Sequence, residues 1–382
     1  MSPFARVHTA PESPLRVVVV GAGGMGRAWL RTIKASDCAE LAGVVDLDVP
    51  ATAAALAELG LPDLPTGTDA VALAAETNAQ AVINVTVPIA HHPVTTAALF
   101  AGLPVLGEKP VADDLARALS LAAAAEISGQ LFMVSQSRRW NPQLAAMRDA
   151  TGDLGRIGTV TTQFFRAPHF GGFREDMAHV LLLDMAIHPF DSVRYLLGDE
   201  PVAVNCQEYN PAWSWYAGAA AATAVFEMAS GARYSYDGSW CAPGAETSWN
   251  GVWRVSGEHG SALWDGDSEP VVDTTAERSV HSRSPHDGIA GSLQVFTEAL
   301  ASGTTPSGEV HENVMSLAMV EAAVESAETR QRVLLDDVLT RAWEKAINEE
   351  THAEVRDVLS NWPSVREALN PTRESSRATV VS

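Results

Sequence analysis

Two polar side chains one helical turn apart, Asp184 and His188, have the residue types and the spacing that proton transfer requires. Residues four apart share one face of an α-helix, and Asp191 lies on that face after a further turn. Histidine is the side chain best matched to exchanging a proton near neutral pH, and a neighbouring carboxylate can orient its ring. The alternative is a packed helix-face histidine, which Pro189 favours because proline breaks a backbone bond inside a helix. The pair alone leaves both interpretations open.

A glycine-rich turn near the N terminus has the pattern that binds the pyrophosphate of a dinucleotide. Residues 17–20 (V-V-V-V) run directly into G-A-G-G-M-G at residues 21–26. The first glycine of this pattern makes a tight turn, the second admits the pyrophosphate, and the third lets the following helix pack on the strand. Free N–H groups at the helix N terminus then attract the phosphates. The predicted dinucleotide contacts in this turn are Gly21, Gly23, Gly24, Met25 and Gly26.

The residue that selects the cofactor is predicted to be Asp46, at the end of the second apolar run. A carboxylate at this place binds the two hydroxyls of the adenosine ribose and repels the 2′-phosphate of NADP. Leu47 follows, where an NADP site often has arginine. NAD is therefore favoured over NADP, although Arg27 and Arg31 offer positive charge for a phosphate, and Asp46 could simply begin a turn.

The elements that position these residues alternate between short apolar runs and alanine-rich helical stretches through the first 135 residues. Strands that alternate with helices predict a parallel, doubly wound sheet. We assign residues 1–136 to a dinucleotide-binding Rossmann domain of the α/β class. Its expected strands are residues 15–20, 40–46, 81–85, 105–107 and 131–135.

The sequence changes character after residue 136, and β-forming residues dominate between residues 158 and 264. Residues 137–382 are predicted to form an α+β domain for substrate binding and oligomerisation, with a mostly antiparallel open sheet and a helical C-terminal extension. One apolar helix is expected at about residues 178–197. The last dozen residues, rich in serine and arginine, are expected to be disordered.

Composition excludes several classes of partner. The chain has 382 residues, 46% of them hydrophobic, and a formal net charge of −21. Binding to nucleic acid or to an anionic membrane without sequence specificity depends on lysine and arginine, so neither partner is expected. Cys38, Cys206 and Cys241 are odd in number and widely spaced, which fits a reducing cytoplasm and predicts neither a disulfide framework nor a metal site.

Four segments in chain order resemble the motifs of the Gfo/Idh/MocA oxidoreductases. They are T-V-P at residues 86–88 followed by His91 or His92, E-K-P at 108–110, R-R-W-N-P at 138–142, and L-D-M-A-I-H-P-F-D at 183–191. The spacing to Gly102 favours His91 over His92 in the first segment. The resemblance extends from about residue 16 to residue 335. Three departures are a valine inside the usual Thr-Pro pair, an alanine for the usual glycine at 186, and the absence of the glycine-rich segment that often precedes the aspartate.

The resemblance implies a two-domain fold, a tightly held nicotinamide cofactor, and oxidation or reduction at a carbon of a sugar or cyclitol. It also implies a homodimer or homotetramer that associates through the open face of the second-domain sheet. The further cofactor contacts that it implies are Val87, Pro88, His91, Glu108, Lys109 and Arg139.

Hydride transfer from a secondary alcohol requires a base for the hydroxyl proton and a group that stabilises the developing alkoxide. With the resemblance in place, His188 is assigned as the general acid/base and Lys109 as the stabilising cation. Asp184 would orient His188 or contact a substrate hydroxyl. His179 is a further candidate for substrate contact. Trp213 belongs to an aromatic cluster whose flat faces suit either a sugar ring or a subunit interface.

Two alternatives keep the same scaffold. One is a glycoside-cleaving enzyme that oxidises its substrate transiently and therefore releases no net NADH. The other is a non-catalytic dinucleotide sensor, which the joint presence of Lys109, Asp184 and His188 disfavours.

Overall fold

The computed structural model describes residues 4–6, 13–277 and 287–369, so the last dozen residues, expected to be disordered, lie outside the described residues. The described residues form two compact units. The first combines described parts of Met1–Ser137, His286–Val314 and Arg341–Ser382, and the second combines described parts of Arg138–Pro285 with Met315–Thr340. The sequence predicted one continuous second domain containing all residues after 136. In the structure, residues 287–314 and 341–369 belong to the first unit instead.

Parallel strands form the centre of the first unit. Within the described residues its sheet has six strands in the order β3-β2-β1-β4-β5-β6, and every recorded pair is parallel. This is the order of a dinucleotide-binding Rossmann fold, with its reversal point between β1 and β4. The predicted α/β class is confirmed. The strands are β1 (Leu15–Val20), β2 (Ala39–Val45), β3 (Thr66–Gly67), β4 (Ala81–Asn84), β5 (Val105–Glu108) and β6 (Phe132–Ser135).

Helices follow the strands of the first unit. The side chains of Val17, Val18 and Val19 on β1 are fully buried, which explains why this strand shows no polar alternation. Asp114 caps the last of these helices by accepting a hydrogen bond from Arg117 N at 2.8 Å. The helices are α1 (Gly24–Lys34), α2 (Val49–Glu58), α3 (Ala70–Thr77), α4 (Pro88–Phe100) and α5 (Leu115–Ser128).

The second unit is built on a mixed sheet of eight strands within the described residues, in the order β13-β12-β11-β7-β10-β9-β8-β14. Only β7 and β10 pair in parallel among the recorded neighbours, so the expectation of a mostly antiparallel sheet is confirmed. The strands are β7 (Ile157–Phe165), β8 (Pro201–Tyr209), β9 (Ala221–Met228), β10 (Arg233–Ser239), β11 (Val252–Gly257), β12 (Gly260–Trp264), β13 (Val271–Thr274) and β14 (Val333–Leu334).

Two further helices of the second unit, α6 (Pro142–Asp153) and α7 (Ile187–Leu197), accompany this sheet. Phe190 of α7 packs edge-on against Phe226 and Tyr236, with ring centroids 4.8 and 5.4 Å apart, and all three rings are fully buried. One face of the sheet is therefore covered by α7, and this packing fixes the helix that carries His188.

The helix expected at residues 178–197 is not regular. Leu181–Ala186 is a π-helix, and α7 continues from it as an α-helix. Pro189 has no backbone N–H to donate, which accounts for a change of hydrogen-bonding register at the start of α7. Because a π-helical turn holds more residues than an α-helical turn, Asp184 and His188 are not stacked as in an ideal helix.

The remaining helices lie in the C-terminal part of the chain: α8 (Gly288–Ser302), α9 (Val310–Thr329), α10 (Leu335–Glu349), α11 (Ala353–Asn361) and α12 (Val365–Leu369). In the first unit, α11 packs against α5, and Lys345 of α10 bonds to Asp114 at 2.8 Å. None of the helices among the described residues has the length and the apolar character needed to cross a membrane.

Candidate active site and cofactor-binding residues

The glycine-rich turn leaves β1 beside the end of β4, at the reversal point of the first sheet. Gly21 has a φ of +105°, and a Cβ there would lie 2.5 Å from Val85 O. A Cβ on Gly26 would lie 2.0 Å from Gly21 O, whereas one on Gly23 would meet nothing within 4 Å. Gly21 and Gly26 are therefore required by the close approach of backbone to backbone, and Gly23 leaves open space next to the turn.

The N terminus of α1 fits a dinucleotide pyrophosphate. Gly23 and Gly24 are exposed, and Met25 is 45% exposed. No side chain caps this helix, and its first turn contains no acidic residue. Its N–H groups and positive helix dipole therefore face a space that phosphate oxygens can enter.

Asp46 lies just beyond β2 and is bound to the glycine-rich turn. Its Oδ2 accepts a hydrogen bond from Ala22 N at 2.7 Å, and its Oδ1 accepts one from Asp48 N at 3.0 Å. The next side chain, Leu47, is 88% exposed. The carboxylate thus stands beside the phosphate-binding turn without a neighbouring arginine at position 47, as the sequence predicted for an NAD site.

Lys109 follows β5 immediately and is half-buried. The preceding residue, Glu108, is buried and accepts a hydrogen bond from Trp29 Nε1 at 2.7 Å. Burial raises the pKa of Glu108, while the Trp29 N–H and the charge of Lys109 act in the opposite direction. Trp29 of α1 therefore fixes the backbone just before Lys109.

Val87 and Pro88 begin α4 directly after the end of β4, on the same edge of the sheet as the glycine-rich turn. Val87 is 57% exposed. His91 is only 2% exposed, and its Nδ1 and Nε2 lie 2.7 and 3.0 Å from the carbonyl oxygens of Pro110 and Thr86. Burial lowers the pKa of His91, and the two carbonyl groups oppose that shift. His91 thus connects the segment after β4 with the segment after β5 through Thr86 and Pro110. Its contact with a cofactor stays a prediction.

In the second unit, Asp184 lies on the π-helix and His188 on the first turn of α7. Asp184 Oδ2 accepts a hydrogen bond from Arg174 Nε at 2.8 Å, and the Asp184 side chain is 15% exposed. Nδ1 of His188 is shielded from solvent. The predicted carboxylate therefore has an arginine partner that the sequence did not indicate.

Arg139 is held by a buried carboxylate. Its Nε and Nη2 donate to Asp191 Oδ2 and Oδ1 at 2.8 and 2.6 Å, and both side chains are almost completely buried. Ser316 Oγ also donates to Asp191, at 2.7 Å, and Arg194 Nη1 donates to Ser316. Asp191 is thus structural and holds the guanidinium of Arg139 in a buried network, and the cofactor contact of Arg139 stays a prediction.

The two other candidates for substrate contact have separate surroundings. His179 lies between two carboxylates, with Nδ1 2.6 Å from Glu208 and Nε2 3.3 Å from Glu328. Trp213 is 66% exposed and donates through Nε1 to Cys241 O at 2.8 Å. Of the two, Trp213 presents the more open surface.

Comparisons with known proteins identify the family. Residues 15–136 match the model of the oxidoreductase family with an NAD-binding Rossmann fold, and residues 144–263 match the GFO/IDH/MocA C-terminal domain. Together the two matches cover more than half of the chain. The chain belongs to the Gfo/Idh/MocA oxidoreductase family.

Several relatives of this Gfo/Idh/MocA chain are similar over most of its length. The uncharacterized protein y4oX of Sinorhizobium fredii is 28% identical over 85% of this chain and 96% of its own. The inositol 2-dehydrogenase of Rhizobium meliloti is 27% identical over 83% of this chain and 98% of its own. Among solved structures, an oxidoreductase from Agrobacterium radiobacter in complex with NAD+, L-tartaric acid and magnesium has a TM-score of 0.75 and 21% identity, over 86% of this chain and all of its own.

As a Gfo/Idh/MocA oxidoreductase, the chain binds NAD, and the first unit contains the residues that fit this cofactor. That unit brings together the glycine-rich turn, Asp46, Val87 and Pro88 at the carboxyl ends of neighbouring strands. Lys109 follows another strand of the same sheet. Asp184, His188, His179, Arg139 and Trp213 belong to the second unit.

Sequence reasoning missed Arg174, which binds Asp184 from a short 3₁₀-helix, Gly172–Asp176. No periodic pattern or motif marks an arginine in this segment. Two nearby phenylalanines are also exposed, Phe170 to 52% and Phe173 to 59%. Both rings lie against the Arg174 guanidinium.

Proposed function

We propose that this oxidoreductase transfers a hydride between NAD and a secondary alcohol carbon of a sugar, a sugar derivative or inositol. The observation that carries the proposal is the presence, in one chain, of an intact NAD-binding turn, Lys109 directly after a strand, and Asp184 with His188 at a π-to-α junction. The similarity to an inositol 2-dehydrogenase over 83% of this chain supports this substrate class.

Three side chains take part in the reaction in this proposal. NAD, when bound, supplies the hydride acceptor. His188 takes the alcohol proton, and we assign Nε2 as the accepting atom because Nδ1 is shielded from solvent. Lys109 stabilises the developing alkoxide with its positive charge. Asp184 positions His188 or a substrate hydroxyl.

A substrate panel tests the proposal directly. The purified protein is incubated with NAD and each of a set of sugars, cyclitols and glycosides, and absorbance of NADH is followed. Net NADH from at least one free sugar or cyclitol is the expected result. Cleavage of a glycoside without net NADH would replace the proposal with the transient-oxidation alternative, and NAD binding without turnover of any substrate would favour a sensor.

The outer face of the second-unit sheet is proposed as the interface of a homodimer or homotetramer. The strand register aligns Val225, Arg254, Leu263 and Val271 across this face. Val225, Leu263 and Val271 are 37%, 41% and 69% exposed. Ser235, Thr161 and Arg254 lie between Val225 and Leu263 in this row, so the face combines exposed apolar side chains with polar ones. A mixed surface of this kind is typical of a face that a second subunit covers.

We also propose that the protein works in the cytoplasm. Its three cysteines are free, with Cys206 and Cys241 buried, and a reducing compartment preserves such thiols.

A further inference from the structure

A role in orienting Asp184 does not by itself explain the position of Arg174. Its Nε donates to Asp184 Oδ2 at 2.8 Å, and its side chain is 35% exposed. A guanidinium has five N–H donors, and this ion pair uses one of them. In the described part of the chain, neither Nη1 nor Nη2 of Arg174 donates to a protein acceptor. The outer edge of the guanidinium is therefore available to a ligand next to Asp184.

Two exposed phenyl rings flank this guanidinium. Its central carbon lies 5.4 Å from the ring centroid of Phe170 and 4.9 Å from that of Phe173. Both rings are more than half exposed, and Phe170 packs edge-on against the buried Trp240 at 5.4 Å. Aromatic rings that hold a cation fix its plane, and they also offer apolar faces on which the C–H side of a sugar ring can lie.

We propose that Arg174 is a specificity-determining residue that binds a carboxylate group of the substrate, so that the enzyme acts on an acidic sugar such as a uronic acid. The inference rests on the proposed function, because it places the acid group beside Asp184. The Nη1–Nη2 edge of a guanidinium matches the two oxygens of a carboxylate in a planar, bidentate arrangement.

Charge favours a carboxylate over a phosphate at this place. The chain has a net charge of −21, and Asp184 adds a negative charge within hydrogen-bond distance of Arg174. One guanidinium can bridge Asp184 and a substrate carboxylate, because each of these two carboxylates has a single negative charge. A phosphate monoester has nearly two negative charges at neutral pH, so its repulsion from Asp184 would exceed what one arginine offsets.

The test uses sugars that differ only at carbon 6. D-glucuronate, D-glucose and D-glucose 6-phosphate share one ring, and D-galacturonate with D-galactose gives a second matched pair. The NAD-loaded protein is titrated with each sugar by calorimetry, and kcat/KM is measured for each by NADH formation. We expect the uronates to exceed their neutral partners by about 10- to 150-fold, the range of a charged hydrogen-bonded pair.

The variant Arg174→Met removes the charge and keeps an unbranched side chain. We expect it to abolish the preference for uronates by weakening their binding at least about tenfold more than that of the neutral sugars. Some loss for the neutral sugars is also expected, because the variant removes the ion pair of Asp184. Arg156→Met is the matched control, because Arg156 also pairs with a glutamate in the second unit, at 3.2 Å from Glu258, but is 90% exposed. The control should keep the preference of the wild-type protein.

Three results would overturn the inference: no preference for uronates in the wild-type protein, tighter binding of glucose 6-phosphate than of glucuronate, or equal losses for acidic and neutral sugars in Arg174→Met. The last result would mean that Arg174 acts only through Asp184. Turnover of neutral sugars without preference removes the inference and leaves the proposed function intact. Selective binding of uronates without NADH from any sugar removes the proposed function and leaves the inference.

Discussion

At the scale of single residues, the charge of Lys109 is proposed to act on the alkoxide. Lys109→Met should weaken NAD binding much less than it lowers kcat, because the phosphate-binding turn is formed by other residues. Loss of one such stabilising group costs about 3–4 kcal/mol in the transition state, so kcat should fall about 10²- to 10³-fold. Steady-state kinetics and an NAD titration measure both quantities. A kcat near that of the wild-type protein would show that Lys109 has another role.

The proposed base, His188, makes a prediction about pH. Oxidation should become faster as pH rises and the imidazole loses its proton. His188→Asn should be about 10²- to 10⁴-fold slower and should lose this limb of the profile of kcat/KM against pH. A packed structural histidine would instead lower the melting temperature and leave the limb unchanged. Measuring the pH profile and the melting temperature of the wild-type protein and of His188→Asn separates the two roles. If the variant keeps the pH-dependent rise in its remaining activity, another residue is the base.

Cofactor choice depends on Asp46. We expect the protein to bind NAD more tightly than NADP, and Asp46→Ala to narrow the difference by about tenfold, the strength of a charged hydrogen bond. Asp46→Asn is the companion variant, because an amide oxygen can still accept the hydrogen bond from Ala22 N. Fluorescence titration with both cofactors gives the affinities. Tighter binding of NADP by the wild-type protein would disprove the assignment.

At the scale of elements, α5 and α9 are joined in the first unit by a charged histidine. His311 Nδ1 lies 2.8 Å from Glu309 and Nε2 lies 2.9 Å from Glu126, which also accepts a hydrogen bond from Trp362 Nε1 at 3.1 Å. Burial alone would lower the pKa of His311, but the charges of Glu309 and Glu126 outweigh it and raise the pKa to about 10. These contacts tie the C-terminal segment after α11 to α5.

The sign of the resulting pH dependence follows from this raised pKa. The protonated His311 stabilises the fold fully below about pH 6.5, the pKa of an unfolded histidine, and the contribution is lost as pH rises through about 10. His311→Gln should therefore lower the urea midpoint most at or below pH 6.5, and the difference from wild type should shrink towards pH 10. His259→Gln, which changes an exposed histidine, is the control. A difference that does not depend on pH would exclude the ionic role.

At the scale of the whole molecule, the exposed row on the outer sheet face predicts self-association. The wild-type protein should have two or four times the chain mass of 40.5 kDa by light scattering. Leu263→Asp combined with Val225→Asp should shift it towards a single chain, because a charge at the centre of an apolar interface is costly. Val49→Asp introduces the same charge at an exposed apolar position of the first unit and should have no effect. A monomeric wild-type protein would contradict the proposed interface.

Much of the first unit was predictable, because its signals are local. The strand, the glycine-rich turn and the helix follow each other within residues 15–34, and Asp46 ends the next strand. Backbone sterics require glycine at Gly21 and Gly26, so the pattern is visible without knowledge of the fold. The strand β3 was missed because its two residues are too few for any pattern.

The rest of the site was decided by contacts between residues that no local pattern links. The sequence determined the class of fold and the NAD-binding turn, and it predicted Asp184 and His188 as site residues. Only the tertiary structure placed Arg174 on Asp184, enclosed Arg139 with Asp191, and returned α11 to the first unit against α5. The physical reason is that an ion pair or a packed helix depends on where distant segments meet, whereas turns, caps and periodic burial depend on neighbours in the chain.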